Sequence, residues 1–447
     1  MYVKRAKKQL KDYLYRSVFR YFSIYIRPNN SVIEVNPLLD SAISVFDRIR
    51  YFFVGRDAPD FIDHNRICSV QDVQRLPPDY FLLNGTIQYE SDIQKLLLEL
   101  HILCSAQTRV IITYYNGMWK PLLQLATALK LREKTLEQNW ISHEDMSNFL
   151  LLTDFEPVLV NSRIICPIYI PFISGFLNRY CAPLPFFRLF CLVNILIARP
   201  LMRRQDRALS VSVVVPARNE TGNIENIVRR VPQMGPDDEL IFVEGGSTDN
   251  TWDKIIEAQH KFSASRQIKI MKQSGKGKGD AVRKGFEAAS KDILMILDAD
   301  LSVSPESLPL FYDAIVRDKG EFLNGSRLVY PMDKNAMRFF NMVANKFFAL
   351  AFSYVLGQRF KDTLCGTKVI LRDNYRKIAE TRSFFGEFDP FGDFDLIFGA
   401  ARLGLKTIEI PIAYKERLYG TTNIRRWKHG VILLKMLLYS AKKIKFV

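Results

Sequence analysis

Asp298 and Asp300 follow directly on a run of five apolar residues, Ile293 to Leu297. A short continuous apolar run predicts a strand that is buried on both faces. In an open parallel sheet, ligands bind at the carboxyl ends of the strands, which is where the two aspartates would lie. Residues i and i+2 of an extended chain point the same way, so both carboxylates can reach one ion. Oxygen ligands of this kind suit Mg²⁺ or Mn²⁺, and the sequence therefore predicts a divalent metal site.

Three further predicted strands end in a similar way. They span 211–215, 240–243 and 268–271, and each is followed by polar or glycine-rich residues and then by a helix. Such a run of βα units predicts a mostly parallel sheet whose polar strand ends line a crevice for a nucleotide. Taken alone, the aspartate pair has a structural alternative, which is a strand that simply ends in polar residues.

A glycine-lysine turn, 275–280, follows the third of these strands and precedes a helix. Its backbone N–H groups and its ammonium groups suit a phosphate. The turn lacks the G-x-x-x-x-G-K-[ST] spacing of a Walker loop. A flexible solvated turn is the structural alternative, but the position between two strand ends favours phosphate binding.

The elements that position these residues belong to a chain of 447 residues, which is long enough for two or three domains. With 48% hydrophobic and 25% charged residues, most of the chain should bury a core. The formal net charge of +16 favours an anionic partner, which could be nucleic acid, anionic lipid or a phosphorylated substrate. The six cysteines show neither a C-x-x-C pair nor zinc spacing, which predicts free thiols in a reducing compartment.

Neither a signal peptide nor a transmembrane helix is predicted. Two basic amphipathic helices, over 1–30 and 425–447, suit the surface of an anionic membrane, and helices docked on their own domains are the structural alternative. An apolar stretch interrupted by prolines, 164–177, precedes a second apolar run. This region predicts either a subdomain that dips into a bilayer surface or, more economically, a helix and a final strand of the first domain.

Strand and helix patterns alternate between 31 and 201, which predicts an α/β layer fold. A resemblance to the class I methyltransferase domain rests on Val32-Ile33-Glu34-Val35, DYFLLNGTIQYESDIQKLLLELHILCSAQTRVIITYYN and WISHEDMSNFLLLTDFEPVLV. The resemblance implies a glycine-rich turn next to S-adenosylmethionine after the first strand, but Asn36 and Pro37 stand there. Side chains at these positions hinder the close backbone approach that glycine allows. We therefore expect a degenerate, Rossmann-like domain for which S-adenosylmethionine is an unlikely cofactor.

Eight motifs follow one another between about 210 and 430: VSVVVPARNE, FVEGGSTDNT, GKGDAVRKGF, ILDADLSVSPE, LNGSRL, DTLCGTK, FDPFGDFDL and YGTTNI. In this order they resemble the family 2 glycosyltransferases of the GT-A fold, in particular the dolichol-phosphate mannosyltransferases and polyprenyl-phosphate glycosyltransferases. The resemblance implies a second α/β domain that binds a nucleotide-diphosphate sugar and a divalent ion.

The resemblance also implies roles for matching residues. The nucleotide-sugar site would include Pro216, Arg218, Glu220, Glu244, Lys278, Asp280 and Asp298, and the late loop over the diphosphate would include Arg417 and Asn423. The metal ligands would be Asp298, Asp300 and Ser302, although relatives often have glutamine at the third position. The catalytic residues would be Arg327, near the sugar and the acceptor phosphate, and Asp393 and Asp395, opposite the donor. Two aspartates usually stand where this chain has Glu244 and Gly245, which leaves the nucleobase open.

The chemistry of the predicted reaction is consistent with these roles. The diphosphate of a nucleotide sugar gains negative charge as the glycosidic bond breaks, and a divalent ion stabilises that charge. A lipid phosphate is already an anionic nucleophile, so arginines that hold it matter more than a base. A sugar hydroxyl needs a base, for which Asp395 is the candidate. The structural alternative for Asp393 and Asp395 is a solvated face.

We therefore predict an inverting, metal-dependent transfer of a hexose to a polyprenyl phosphate or a glycan, in cell-envelope glycan synthesis. The protein would be peripheral on the cytoplasmic membrane face. The predicted boundaries are 1–30 for the first helix, 31–201 for the methyltransferase-like domain, 202–209 for the linker, 210–424 for the glycosyltransferase domain and 425–447 for the last helix. The alternatives are a bifunctional enzyme that also methylates and a non-catalytic membrane-associated scaffold. Nucleic acid is not expected as a partner, because no aromatic-rich basic motif of the RNA-binding kind occurs.

Overall fold

The computed structural model describes residues 13–37, 49–54, 66–129, 139–202, 208–330, 339–384, 392, 394–414 and 426–447, with backbone alone for 339–341, 383 and 426–429. The chain divides into two compact units. The first unit comprises Met1–Arg203 and Lys442–Val447, and the second comprises Arg204–Ala441. The division falls within the segment 202–209 that was predicted to be a linker.

The first unit is built on a mixed sheet of six strands. The strands are β1 Val32–Val35, β2 Ile49–Phe52, β3 Tyr80–Asn84, β4 Arg109–Tyr115, β5 Phe155–Arg163 and β6 Val193–Pro200. Their order is β2-β1-β3-β4-β6-β5, in which the first four strands are parallel and β6 is antiparallel to both of its neighbours. The helices are α1 at 13–22, α2 Val70–Arg75, α3 Ile93–Leu103, α4 Lys120–Ala128, α5 His143–Leu152 and α6 Ile173–Phe176.

Local sequence explains why the longer helices of this unit begin where they do. The Asp92 side chain accepts a hydrogen bond from the Lys95 N–H at the start of α3. At the start of α5, Ser142 and Asp145 form a capping box, in which each side chain bonds to the backbone of the other residue. Caps of this kind satisfy N–H groups that have no partner within the helix.

Helix α1 lies within the predicted basic helix of residues 1–30. Val18, Phe19 and Phe22 on one side are buried, whereas Arg16 and Arg20 on the other side are exposed. This distribution is the one expected for an amphipathic helix that packs on its own domain.

The second unit contains a sheet of seven strands. They are β7 Val211–Ala217, β8 Glu239–Glu244, β9 Gln267–Lys272, β10 Ile293–Ile296, β11 Phe322–Ser326, β12 Lys368–Leu371 and β13 Thr407–Pro411. The order is β13-β11-β12-β10-β7-β8-β9, and every pair is parallel except the two that involve β12. The helices are α7 Ile224–Arg230, α8 Thr251–Phe262, α9 Lys278–Ala288, α10 Leu308–Val316, α11 Phe339–Leu356, α12 Arg372–Glu380, α13 Phe394–Arg402 and α14 Arg426–Ser440. The prediction of an α/β protein with two sheets dominated by parallel strands is confirmed.

The topology of this second sheet places several strand ends at one edge. Strands β7 to β10 are parallel, so their carboxyl ends meet there, and β12 runs the opposite way, so it begins there with Lys368. Strand β10 is fully buried, as its apolar run predicts, and pairs with β7 in register from Ile293↔Val211 to Ile296↔Val214. The edge therefore gathers residues that are far apart in the sequence.

The apolar region after β5 fits neither predicted alternative completely. Strand β6 is the expected final strand of the first unit and is buried, but many large apolar side chains between 168 and 190 are exposed. No helix in the part of the chain that the structure describes is long and apolar enough to cross a membrane.

Candidate active site

The site centres on the turn that follows β10. Leu297 still donates its N–H to the Val214 carbonyl, after which the chain turns, and Leu301 donates its N–H to the Asp298 carbonyl at 3.3 Å. Leu301 has a φ of 53°, a backbone conformation that few residues other than glycine adopt. Asp298 and Asp300 therefore lie on a turn and not on the extended chain that their spacing suggested.

Asp298 forms an ion pair with the first residue of α9. Its Oδ1 lies 2.6 Å from the Nζ of Lys278, and both side chains are about one quarter exposed. Burial raises the pKa of the Asp298 carboxyl, but the positive charges of Lys278, Arg327 and Lys368 outweigh that effect and hold the pKa below its usual value. The carboxylate is thus kept in the ionised form that binds a cation.

Asp300 is buried and faces its own loop. Its Oδ1 accepts the N–H of Ser302 at 3.0 Å, and Ser302 is itself 3% exposed. The observed role of Ser302 is to orient Asp300 through its backbone, while its predicted role as a third metal ligand stays a prediction.

The carboxylates of Asp298 and Asp300 are compatible with a divalent ion that also binds phosphate oxygens of a substrate. The described residues contain no group of three His, Cys, Asp or Glu side chains that could hold a metal by themselves. Mg²⁺ is usually bound by one or two carboxylates together with substrate phosphates and water. Asp298, ionised and partly exposed beside Asp300, meets that requirement.

The loops after β7 and β8 are tied to each other by polar side chains. Asn219 accepts the Thr248 N–H at 2.8 Å, and Asp249 accepts the hydroxyl proton of Thr221 at 2.7 Å. Glu220 is buried and accepts a hydrogen bond from Asn223 at 2.7 Å. These bonds hold the two loops in place at the carboxyl edge of the sheet.

The residues predicted to contact the nucleotide differ in exposure. Arg218 is exposed directly after β7, and Pro216 is partly exposed within it. Glu244 is buried at the end of β8 and accepts the Ser247 N–H at 2.5 Å. Arg218 thus presents its charge to solvent at the sheet edge, while the Glu244 carboxylate holds the turn that follows it.

The glycine-lysine turn is held by Asp280, whose Oδ2 accepts the N–H of Gly275 at 2.8 Å. Gly277 has a φ of 87°, which glycine adopts without strain, and α9 begins at the next residue. The helix therefore starts three residues earlier than its predicted first residue, Ala281, and Lys278 lies in its first turn. This position suits an anionic ligand, because free N–H groups and a positive helix end meet there.

Gly366 completes the surroundings of Asp298. A Cβ atom at this glycine would collide with Oδ2 of Asp298 and with Nζ of Lys278. The absence of a side chain at 366 therefore allows the ion pair to form next to β12. Its place in the DTLCGTK motif was the available signal, but a sequence does not reveal which carboxylate a glycine faces.

Arg327 is engaged in a buried ion pair directly after β11. Its Nε and Nη2 lie 2.7 Å and 2.9 Å from the two carboxylate oxygens of Asp362, and its guanidinium lies over the ring of Tyr414. Asn345 and the Leu364 N–H also donate to Asp362. Burial lowers the pKa of Arg327, but the charge of Asp362 more than compensates, so the pKa is raised and the side chain stays charged.

Asp395 lies in the first turn of α13 and is close to two arginines. Its Oδ2 is 3.1 Å from Nε of Arg382 and 3.5 Å from Nη1 of Arg283. Burial raises the pKa of Asp395, and the two arginines offset this only in part. Sequence reasoning did not single out Arg283 or Arg382, although Arg283 lies within the motif GKGDAVRKGF.

Three predicted site residues, Asp393, Arg417 and Asn423, lie outside the described residues. Asp298, Lys278 and Gly366 meet at one point, and Asp300 follows in the same turn. The roles assigned to the individual residues stay predictions.

Part of the second unit is similar to known proteins. Residues 212–378 match the family model described as glycosyl transferase family 2. A dolichol-phosphate mannosyltransferase from Pyrococcus furiosus is 26% identical over 224 residues, which are 48% of this chain and 60% of the relative. An undecaprenyl-phosphate 4-deoxy-4-formamido-L-arabinose transferase from Proteus mirabilis is 28% identical over 238 residues, which are 52% of this chain and 67% of the relative. The chain thus carries a glycosyltransferase domain, as predicted, and spans about three fifths of the length of the first relative.

Among solved structures, glucosyl-3-phosphoglycerate synthase from Mycobacterium tuberculosis, crystallised with Mn²⁺, UDP and glucosyl-3-phosphoglycerate, is similar with a TM-score of 0.40 and 20% identity. The match covers 54% of this chain and 81% of that protein.

Proposed function

We propose that the glycosyltransferase domain adopts the GT-A fold and transfers a hexose from a nucleotide-diphosphate sugar to a polyprenyl phosphate, with inversion at the anomeric carbon. The observation that carries the proposal is the ion pair of Lys278 and Asp298 at the carboxyl edge of the sheet, within the matched residues 212–378. The ionised carboxylate of Asp298 would bind the metal ion, and the ammonium group of Lys278 would bind the diphosphate.

The donor site is proposed to use Asp298 and Asp300 as ligands of Mg²⁺ or Mn²⁺, with Ser302 as a candidate third ligand. When bound, the ion would supply positive charge that stabilises the leaving diphosphate. Lys278, in the first turn of α9, would hold a phosphate oxygen with its ammonium group, assisted by the N–H groups of the helix start. The late loop with Arg417 and Asn423 is proposed to add contacts to the same diphosphate.

The acceptor is proposed to be a polyprenyl phosphate because two relatives are named for transfer to dolichol phosphate and undecaprenyl phosphate. Arg327 is kept charged by Asp362 and would attract the acceptor phosphate toward the sugar. A phosphate nucleophile needs no general base, so this chemistry requires positioning and charge rather than proton transfer. This acceptor would place the protein peripherally on the cytoplasmic membrane face.

A second candidate acceptor is a sugar hydroxyl of a glycan. The observation that favours it is the raised pKa of Asp395, because a carboxylate with a higher pKa is a better general base. Asp393 would lie beside it. The two acceptors differ in whether the reaction needs this base at all.

The first unit is proposed to be a degenerate methyltransferase-like domain. Its open sheet with a parallel centre supports the α/β type of the resemblance. At the end of β1, the buried Asn36 side chain accepts the Val54 N–H at 2.9 Å and donates to the Val54 carbonyl at 3.2 Å. This side chain fills the place after the first strand where a backbone would have to approach a cofactor closely.

The test is a screen of nucleotide-sugar donors with polyprenyl phosphate and with a glycan acceptor, in Mg²⁺, Mn²⁺ or chelator, with products identified by mass. A polyprenyl-phosphate hexose of inverted anomeric configuration, formed only with metal, is the expected result. Transfer to a hydroxyl alone, with loss of activity in Asp395→Asn, would establish the glycan alternative. Absence of turnover with every donor would favour a non-catalytic scaffold.

A further inference from the structure

The apolar segment, residues 166–190 between β5 and β6, turns its large side chains outward. Eleven aliphatic or aromatic residues in it are 38% to 94% exposed: Ile168, Tyr169, Ile170, Phe172, Ile173, Phe176, Tyr180, Leu184, Phe186, Leu189 and Phe190. The polar Ser174, by contrast, is fully buried. This arrangement is the reverse of an ordinary surface loop, in which polar side chains meet the water.

Polar anchors hold the apolar segment in this shape. Asn178 accepts the Cys166 N–H at 2.9 Å and donates to the Cys166 carbonyl at 2.8 Å. At the other end, Asn116 and Trp119 donate to the carbonyls of Leu189 and Phe190 at 2.9 Å and 3.0 Å. The first bonds close the segment on itself, and Asn178 also donates to the Tyr13 hydroxyl at 3.0 Å, so the segment is tied to the unit at Asn178 and at its carboxyl end while the apolar side chains remain outside.

Phe172 is the extreme case within the apolar segment. It is 94% exposed and has a φ of 62° with a ψ of −43°, a conformation that is unfavourable for a bulky residue. The chain therefore bears local strain while it presents an aromatic ring to solvent, which indicates a partner for that ring.

The exposed apolar area is larger than a monomeric soluble protein usually shows. At roughly 150–250 Å² for a whole aromatic side chain, eleven large residues that are about half exposed present on the order of 1,000 Å². Typical largest patches on monomers are about 300–600 Å², and larger ones mark protein or membrane contact sites.

The charges around the apolar segment select an anionic partner. Residues 157–205 contain no Asp and no Glu, but they include Arg163, Arg179 and Arg188. Asn161 in β5 accepts hydrogen bonds from Arg188 at 3.0 Å and from Lys445 at 3.4 Å. Three cationic side chains, Arg163, Arg188 and Lys445, thus lie close together; we call them the cationic cluster.

Two observations show that the cationic cluster is short of negative charge. Arg163 is 6% exposed, and its Nε and Nη2 have no hydrogen-bond partner in the described part of the chain. Burial, together with the charges of Arg188 and Arg163, lowers the pKa of Lys445 to about 6. A phosphate group placed beside these side chains would compensate both deficits.

We propose that the apolar segment inserts into the surface of an anionic lipid bilayer, with Phe172 deepest and Arg188, the partly exposed member of the cationic cluster, nearest the headgroup phosphates. A bilayer matches the wide apolar area, the absence of carboxylates, and the exposed tyrosines Tyr169 and Tyr180, which are typical of the membrane–water interface. This surface lies within the first unit, and its test needs neither donor nor acceptor.

The experiment is vesicle flotation of the full chain with phosphatidylcholine alone or with added phosphatidylglycerol. We expect binding that favours the anionic vesicles, and at least a tenfold lower bound-to-free ratio for Phe172→Asp/Phe176→Asp. Ile102→Asp, at an apolar position of the first unit whose 73% exposure lies between those of Phe172 and Phe176, should bind like the wild type. Arg188→Gln should lose the preference for anionic vesicles, whereas Arg75→Gln, exposed on α2, should keep it.

Several results would overturn the proposal. One is a wild-type protein that floats with neither vesicle, and another is a Phe172→Asp/Phe176→Asp variant that binds as the wild type does. Lipid-free sedimentation provides the third: a wild-type dimer that this double variant abolishes would show that a second copy covers the segment. Asp298→Asn should float like the wild type, so failure of the catalytic proposal and failure of this one are distinguishable.

Discussion

Nζ of Lys278 lies 2.6 Å from Oδ1 of Asp298, so the first residue of α9 is paired with the first carboxylate after β10. The two residues come from different βα units and meet because their strands share one sheet edge. The pair joins the predicted phosphate-binding turn to the predicted metal site. Replacements of Asp298, of Lys278 and of the neighbouring Gly366 therefore test the two predicted sites together.

Replacing Asp298 by alanine should abolish transfer, with a fall in kcat of at least about 10²–10³-fold, as is usual when one group that stabilises the transition-state charge is removed. The dependence of activity on Mg²⁺ or Mn²⁺ should disappear with it. Turnover is measured with the donor found in the screen. Asp253→Ala, at an exposed position on α8, is the control and should keep full activity. Undiminished turnover in Asp298→Ala would remove this residue from the site.

Replacing Lys278 by methionine should move the acid limb of the pH profile of kcat/KM to higher pH. Lys278 lowers the pKa of Asp298, and without its charge the raising effect of burial is opposed only by Arg327 and Lys368, so the carboxylate forms at higher pH than in the wild type. In the wild type, the stability that the depressed pKa of Asp298 contributes is lost as pH falls through the folded pKa, and this pH-dependent contribution should be smaller in the variant. Lys276 is exposed in the same turn, and the control variant Lys276→Met should keep the acid limb of the profile at its wild-type pH.

Replacing Gly366 by alanine should lower kcat/KM about 10²-fold, which is the size of effect expected when a catalytic group is displaced by about 1 Å. The added Cβ would occupy the space of the Asp298 and Lys278 side-chain ends, which must move apart. Because the colliding atoms are side-chain ends, the melting temperature should change little. Gly430→Ala, where no heavy atom lies within 4 Å, is the matched control. Equal activity of the two variants would contradict this arrangement.

Replacing Asp362 by asparagine should destabilise the second unit by about 3–5 kcal/mol, because it leaves the buried Arg327 charge uncompensated. The free energy of unfolding is measured by urea titration. Asp373→Asn removes an exposed pair with Arg376, which is 3.6 Å long, and should cost only about 0–1 kcal/mol. Similar losses in the two variants would show that burial does not strengthen the Arg327 pair.

Titration calorimetry of the full chain with S-adenosylmethionine should show no binding in the micromolar range. The reason is the buried Asn36 side chain, which is bonded to the Val54 backbone where a cofactor would need close approach. Micromolar affinity would instead support the bifunctional enzyme and would require the end of β1 to open.

Most of the secondary structure could be predicted because it depends on short-range patterns. The apolar run at β10 and the three strands β7, β8 and β9 lie at or close to their predicted positions. The match to a glycosyl transferase family 2 model likewise follows motifs that are local in the sequence. It was also predictable that Asp298 lies close to the glycine-lysine turn, because parallel βα units bring the carboxyl ends of their strands together.

The partners of the site residues were decided by tertiary structure. Asp395 pairs with Arg283, which is 112 residues away, and Gly366 packs against Asp298, contacts that no spacing along the chain encodes. The turn after Leu297 replaced the extended geometry because the hydrogen bonds of β10 with β7 end there.

The same distinction applies to the apolar residues. The apolar character of residues 166–190 is set by their composition, but the direction in which they face is not, since a buried core segment and a membrane-facing segment have the same composition. The hydrogen bonds of Asn178 and those of Asn116 and Trp119 hold the backbone of the segment in the shape that leaves Phe172 exposed to solvent. Composition sets how much apolar area a chain carries, whereas long-range packing decides how much of that area the protein itself can cover.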